Sequence, residues 1–304
     1  MKRLIKRLMF GIFSLLAFLL LLLHILSVGA GARITREYAE ILSDGVQEVV
    51  IDDVAISYRE AGETNAKVLV IVHGFLGSAY DFREVIPLLA ETYHVYALDL
   101  PGFGLSDKPA TYDYAKANQA DTVRAFVQEL ELTAFALLGH SMGGEIAIRY
   151  ALDYPESVSE LILVASAGMA SGTAPALPGF LYGLVVKNYF AQQAGLYSAY
   201  YQDEMKTRDN IEPMYYLNSR IPNEVFRQFS LDQDDDTLRE RIPDIQVPTL
   251  LIWGRHDTWI PLSQGEAMAA LIAGSTLSII ENASHLPFQE DVETFVALVA
   301  AFIE

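Results

Sequence analysis

The sequence predicts a doubly wound α/β sheet, and three observations carry that prediction. Short continuous apolar runs recur along the chain, segments with apolar residues at helical spacing separate them, and one proline-rich interval interrupts the alternation. Continuous runs mark strands buried on both faces, as in parallel sheets covered by helices. Their alternation with helices gives an open α/β sheet, and the interruption reads as an insertion.

Before the sheet comes a different kind of segment. From Leu8 to Leu26 the chain is interrupted only by Gly11, Ser14 and His24, and these 19 residues carry no formal charge. As a helix, such a stretch spans about 30 Å of hydrocarbon, so residues 1–28 are expected to form a single-pass N-terminal transmembrane helix. Ala30-Gly31-Ala32 resembles a signal-peptide cleavage site. The apolar core exceeds the roughly 7–15 residues usual for signal peptides, however, which favours an uncleaved membrane anchor. Lys2, Arg3, Lys6 and Arg7 outweigh Arg33 and Arg36 beyond the span. The N-terminus is therefore expected in the cytoplasm and the globular part outside it, in an extracytoplasmic (periplasmic) setting. Residues 29–45 read as a tether with a short helical stretch.

Val46–Ile51 and Val54–Tyr58 alternate around Asp52-Asp53, which predicts an antiparallel hairpin at a sheet edge. The continuous runs follow at Val68–Val72, Val95–Leu98, Phe135–Leu138, Leu161–Ala165 and Thr249–Trp253, with Ser275–Ile280 as a last strand. Helical spacing fills Tyr80–Glu91, Ala115–Leu130, Gly144–Tyr154, Ser263–Ile272 and Val292–Phe302. Between Gly168 and Val247 there is no buried-strand run, but Pro175, Pro178, Pro213, Pro222 and Pro243 punctuate short, tyrosine-rich helical pieces. The core is thus assigned to 46–167 and 248–304, with a helical cap at 168–247. Asp232–Asp236 lacks the glycine and glutamate of an EF-hand and reads as a solvated loop.

Composition narrows the chemistry. The chain has no cysteine, which excludes disulfides, thiol nucleophiles and cysteine-ligated metals. Its net charge is −18, and four of the 21 basic residues precede the membrane segment, leaving 17 against 39 acidic residues in the remainder. Such a surface repels phosphate backbones, so nucleic acid is not an expected partner.

The chemistry concentrates at Gly139-His140-Ser141-Met142-Gly143-Gly144, where strand periodicity ends and helical periodicity begins. A turn that sharp pushes Ser141 to positive φ, and glycines two residues to either side remove the collisions it would cause. The hydroxyl of Ser141 is then held above the carboxyl end of the sheet, with the backbone N–H of Met142 beside it. His73-Gly74-Phe75-Leu76-Gly77 follows directly on Val68–Val72 and can offer the N–H of Phe75 as a second donor to a developing oxyanion. A serine nucleophile needs a base, and the base a carboxylate. Of the six histidines, His285 alone lies in a loop just past the last strand, and Asp257 ends the turn Gly254-Arg255-His256-Asp257 after the preceding strand. Asp99, in Asp99-Leu100-Pro101-Gly102-Phe103-Gly104, precedes the nucleophile and is assigned a structural role. So is the His73 side chain.

With these motifs in order, the chain from about residue 46 onward resembles the α/β-hydrolase-fold serine hydrolases. The resemblance implies an eight-stranded, mostly parallel sheet with helices on both faces and a helical cap. It also implies a Ser141–His285–Asp257 triad, an oxyanion hole at Phe75 and Met142, and acyl-enzyme chemistry with no cofactor and no metal. The anchored arrangement is similar to membrane-bound monoacylglycerol lipases. The expected substrate is a small-molecule carboxylic ester or lipid, because Phe180, Leu181, Tyr182, Leu184, Val185, Val186, Tyr189, Phe190, Leu196 and Tyr197 make the cap apolar, with only Lys187 among them. Those side chains could equally pack the cap onto the core. Two alternatives stand beside this reading: a hydrolase of carbon–carbon bonds in ring-fission (meta-cleavage) products, and a non-catalytic anchored binding protein of the same fold.

Overall fold

The structure, a computed structural model, describes residues 2–169, 186–229 and 236–303, and within them the side chains of all but 2–17, 19, 20, 236 and 237. Eight strands form one sheet: β1 (Val46–Ile51), β2 (Val54–Ala61), β3 (Lys67–Val72), β4 (Tyr93–Leu98), β5 (Phe135–His140), β6 (Val158–Val164), β7 (Thr249–Gly254) and β8 (Thr276–Ile280). Their spatial order is β1-β2-β4-β3-β5-β6-β7-β8. β1 and β2 pair antiparallel, β2 runs antiparallel to β4, and every later pairing is parallel. The expected hairpin and all six further strands are present. Continuous burial of β5 and β7, at every residue, explains why they read as unbroken apolar runs.

Helix α1 (Lys2–Ser43) precedes the sheet. Around it lie α2 (Ile86–Leu89), α3 (Lys116–Glu129), α4 (Met142–Asp153), α9 (Leu262–Leu271), α10 (Pro287–Glu290) and α11 (Val292–Phe302). The described part of the cap, between β6 and β7, contains α5 (Tyr189–Ala199), α6 (Arg208–Asn218), α7 (Asn223–Phe229) and α8 (Asp236–Arg241). Two apolar clusters sandwich the sheet. One joins Val70, Val72 and Leu137 to α3 and α4, and the other joins Leu69, Ile71 and Leu138 to α11 and the loop after β3. Alternation along β3 and β5 sends successive side chains to opposite clusters, as period-two geometry requires.

Three expectations need correction or restriction. The helix expected over Tyr80–Glu91 is broken into a 3-10 turn (Ala79–Phe82) and α2. Pro87 has no N–H to donate and its ring crowds the carbonyl four residues earlier; the helix breaks before it and restarts with Pro87 in the first turn of α2, where no intrahelical N–H is needed. The tether expected over residues 29–45 is helical through Ser43 and docked on the cap. Ile34, Tyr38 and Leu42, spaced by four residues, are buried with Tyr189, Tyr215 and Leu217. Arg33 donates to Glu212 (Nη1 to Oε2, 3.0 Å), which is 1% exposed, and the Tyr189 backbone N–H donates to Ser27 Oγ (2.9 Å). The predicted transmembrane helix falls largely outside the residues whose side chains are described. Among the described residues no helix is long and apolar enough to cross a membrane. The cap residues 170–185 and, but for the backbone of its last residue, the acidic run Asp232–Asp236 also lie outside them.

Since Ile34 is fully buried between α1 and the cap, Ile34→Ala is expected to cost about 2–5 kcal/mol by lost transfer energy and a residual cavity. Chemical unfolding of the full chain reads this. An unchanged midpoint would mean that α1 is not docked.

Candidate active site

At the β5–α4 junction Ser141 has φ 53° and ψ −118°. A non-glycine residue holds that conformation only where the surroundings over-determine it, and here they do. The Ser141 N–H donates to Val164 O (3.0 Å), while Ser141 O accepts from Ala167 N–H (2.9 Å) and Gly144 N–H (3.0 Å). A Cβ at Gly143 would collide with the carbonyl oxygens of Val72 and His73, so helix α4 can lie this close to β3 only with glycine there. Met142 is the first residue of α4, and its N–H is among the four that helix geometry leaves without an intrahelical acceptor.

The loop after β3 folds over this junction. Gly77 N–H donates to Gly74 O (3.0 Å), and a Cβ on Gly74 would lie 3.0 Å from Ser141 Cβ. Phe75 therefore sits beside the serine, and its ring packs edge-on against Phe103 and Phe229. His73 is buried, and its ordinary pKa is lowered by that burial. Its Nδ1 lies 2.7 Å from Gly74 O and its Nε2 accepts from Leu100 N–H (3.0 Å), which fixes the neutral Nδ1–H tautomer. His73 is a hydrogen-bonding strut. Asp99 is another, accepting from Ala79 N–H (2.6 Å) and Leu105 N–H (2.7 Å).

From the far end of the sheet come a carboxylate and an imidazole. Asp257, in the turn after β7, accepts from Trp259 N–H (2.8 Å) and Ile260 N–H (2.9 Å) through Oδ1. Its Oδ2 lies 2.9 Å from His285 Nδ1, and both side chains are almost fully buried. The His285 loop is itself pinned. Glu290 accepts from Ser284 N–H (2.7 Å), Tyr201 N–H (2.7 Å) and Gln202 N–H (2.9 Å), and His285 N–H donates to Ala199 O (3.1 Å). Burial raises the Glu290 carboxyl above its ordinary range. His140 is buried and held neutral, its pKa well below the usual value by burial and then by the neighbouring His285; its Nε2 lies 2.9 Å from His285 O.

Ser141, His285 and Phe75 border one cavity of about 290 Å³, roofed by Val186, Leu196 and Met214 of the cap. Of the apolar cap residues singled out in the sequence, Val186 and Leu196 line it, whereas Tyr189 packs against α1. Trp259 also lines the cavity, with its ring centroid 5.0 Å from that of His285. Among the described residues no group of three or more histidines and carboxylates is arranged to hold a metal ion.

This geometry identifies the architecture, and comparison with known proteins decides its family. The sequence pattern of the alpha/beta hydrolase fold family matches residues 67–292. The chain belongs to the α/β-hydrolase family. An uncharacterized hydrolase of Bacillus subtilis, YugF, is 30% identical over 272 residues, covering 85% of this chain and 98% of that protein. A 2-hydroxy-6-oxononadienedioate/2-hydroxy-6-oxononatrienedioate hydrolase of Pseudomonas putida is 29% identical, covering 83% and 92%. Among solved structures, that of a membrane phospholipase A described as a bacterial virulence factor superposes with a TM-score of 0.73 at 31% identity, covering 98% of each chain.

Within this α/β-hydrolase, sequence reasoning passed over Asp81, which also lines the cavity. Ser78-x-x-Asp81 is a capping pattern, and Asp81 Oδ2 accepts from Ser78 N–H (2.9 Å), a signal available in the sequence. Burial pushes the Asp81 carboxyl up from about 3.8 to about 7, opposed by the Ser78 N–H and Arg83 and reinforced by Asp99. The native state thus holds this proton more tightly than the unfolded chain between about pH 4 and pH 7, so the stability Asp81 contributes falls as pH rises through that window. Asp81→Asn keeps the acceptor and has no proton to lose. Its Tm relative to wild type should rise from pH 5 to pH 8, whereas a constant difference would place the titration elsewhere.

Proposed function

We propose that this α/β-hydrolase is a serine esterase or lipase acting on carboxylic esters with lipophilic acyl chains. One observation carries the reading: an imidazole oriented by a buried carboxylate at 2.9 Å borders the same apolar cavity as a serine held at positive φ. In this reading Ser141 Oγ adds to the ester carbonyl while His285 Nε2 takes its proton, and Asp257 stabilises the imidazolium. The N–H groups of Phe75 and Met142 receive the oxyanion, each contributing about 3–4 kcal/mol if they match typical donors of this kind. Collapse of the tetrahedral adduct expels the alcohol, protonated by His285. A water deprotonated by the same imidazole then cleaves the acyl-enzyme.

A second reading, hydrolysis of a carbon–carbon bond in a ring-fission product, is favoured by the name of the Pseudomonas putida relative. Against it, no lysine or arginine is among the described residues that line the cavity, and a dicarboxylate needs a cation.

The N-terminal helix is proposed to anchor the enzyme as a single-pass span, with the hydrolase domain on the extracytoplasmic side. Support comes from the uncharged run Leu8–Leu26, and from Leu21, Leu22, Leu23, Ile25 and Leu26, which are exposed. Similarity along the whole chain to a membrane phospholipase A agrees with it.

Hydrolysis of p-nitrophenyl esters from acetate to palmitate by the full chain in detergent tests the activity. Turnover rising from acetate to medium or longer chains is expected. No turnover with any ester by folded protein would move the assignment to carbon–carbon cleavage.

A further inference from the structure

The short helix α10 begins directly after His285-Leu286, and its last two residues are polar. Gln289 and Glu290 are both buried, and neither is among the described residues that line the cavity. Polar groups withdrawn from water need internal partners, and the partners of this pair lie on two separate parts of the chain.

Glu290 Oε1 accepts from Tyr201 N–H (2.7 Å) and Gln202 N–H (2.9 Å), in the cap segment that leaves α5. Its Oε2 accepts from the N–H of Ser284 (2.7 Å), the residue before His285. Gln289 Oε1 accepts from the Tyr200 hydroxyl (2.5 Å), and its Nε2 donates to Asp81 O (2.9 Å), just past the Gly74–Gly77 loop. Ala199, the last residue of α5, lines the cavity and accepts from His285 N–H (3.1 Å) at its carbonyl. Every residue from Ala199 to Gln202 is thereby bonded to His285 or to α10. One carboxylate joins the roof of the cavity to the backbone beside the imidazole.

Resting on the Ser141–His285 mechanism proposed above, we propose that Glu290 is a positioning residue that acts through His285, setting the imidazole against Ser141 by tying Ser284 to the end of α5. Asp257 fixes which ring nitrogen carries the proton, but a ring held at one atom can still swing about it. The backbone that carries the ring must be held as well. Hydrogen bonds from backbone N–H groups to a carboxylate are charge-assisted and stronger than neutral ones, which suits Glu290 to that role. Proton transfer needs the base within hydrogen-bond reach of the hydroxyl, so a small displacement of residues 284–285 reads directly on rate.

Glu290→Gln separates the two sides of the tie. Its amide oxygen keeps the place against the two cap N–H groups, and its NH2 group then faces Ser284 N–H, donor against donor. The cap side is retained and the Ser284 side is lost. For p-nitrophenyl ester hydrolysis by the full chain in detergent, kcat should fall about 10–100-fold, the cost of a misplacement of about 1 Å, with KM within about twofold. The rate at which an alkyl fluorophosphonate labels Ser141 should fall by the same factor, because that reaction also needs the imidazole. Labelling is followed to completion, so an unfolded fraction does not enter the rate. The low-field proton NMR signal of His285 Nδ1–H should shift. Tyr200→Phe removes the Gln289 bond but leaves the Ser284 tie, and its labelling rate should stay close to wild type. If Glu290→Gln does not fold, Glu290→Asp is read in the same way, since it keeps the charge but is one methylene short of spanning both segments.

Unchanged kcat and labelling rate in a folded Glu290 variant would overturn the proposal and leave the esterase reading intact. So would a raised KM at unchanged kcat, or an equal loss in Tyr200→Phe, either of which would reduce Glu290 to a cap fastening. Failure of wild type to cleave any ester would overturn the esterase reading, and this one with it.

Discussion

Ser141→Ala should lower ester turnover by about 10⁴–10⁶-fold while leaving the fold in place, the range seen when a hydrolase loses its nucleophile but keeps its oxyanion donors and binding surface. The backbone at 141 is what makes the substitution informative. The positive φ is enforced by hydrogen bonds to Val164, Ala167 and Gly144, all made by main-chain atoms that alanine retains. Stability should therefore change little. A steady-state assay with the preferred p-nitrophenyl ester, beside a thermal melt, gives both quantities. Retention of wild-type turnover would remove Ser141 from the mechanism.

Asp257→Asn should cost about 10⁴-fold in kcat, comparable to the effect known for this substitution in other triads, and the local geometry gives the cause. Asp257 Oδ1 accepts from two backbone N–H groups, those of Trp259 and Ile260. An asparagine must keep its oxygen there, because its NH2 group would face two donors. The NH2 group is then turned toward His285 Nδ1, which must accept. The proton of the neutral imidazole moves to Nε2, the nitrogen that should take a proton from Ser141. The ring stays in place but can no longer act as a base. A loss below tenfold, with fold intact, would mean that His285 is oriented by something other than Asp257.

Much of this was readable from residues. Strands β3, β5, β6 and β7 announce themselves because burial on both faces leaves no polar alternation, and the switch of period at Ser141 follows from the strand–turn–helix junction. Asp257 and His285 stand in loops at the carboxyl edge of the sheet, in the order Ser141, Asp257, His285, and the structure brings the latter two to 2.9 Å.

What was not readable depends on tertiary partners. Residues 29–45 read as a tether with only a short helical stretch, yet the spacing of Ile34, Tyr38 and Leu42 against a cap surface holds α1 helical through Ser43, packing outweighing propensity. Pro87 should have warned against a helix over Tyr80–Glu91. The sequence leaves open whether Tyr189 serves an acyl pocket or packing, and the structure packs it against α1.

In the proposed mechanism Ser141 is a nucleophile activated by His285. The most direct measurement is intact-mass and peptide analysis of the full chain after treatment with an alkyl fluorophosphonate, whose phosphorus accepts the serine oxygen as fluoride leaves. One phosphonyl group per chain, on the peptide containing Ser141 and absent from His285→Ala on the same timescale, is the predicted result. An unmodified chain, or a label on any other residue, would contradict it.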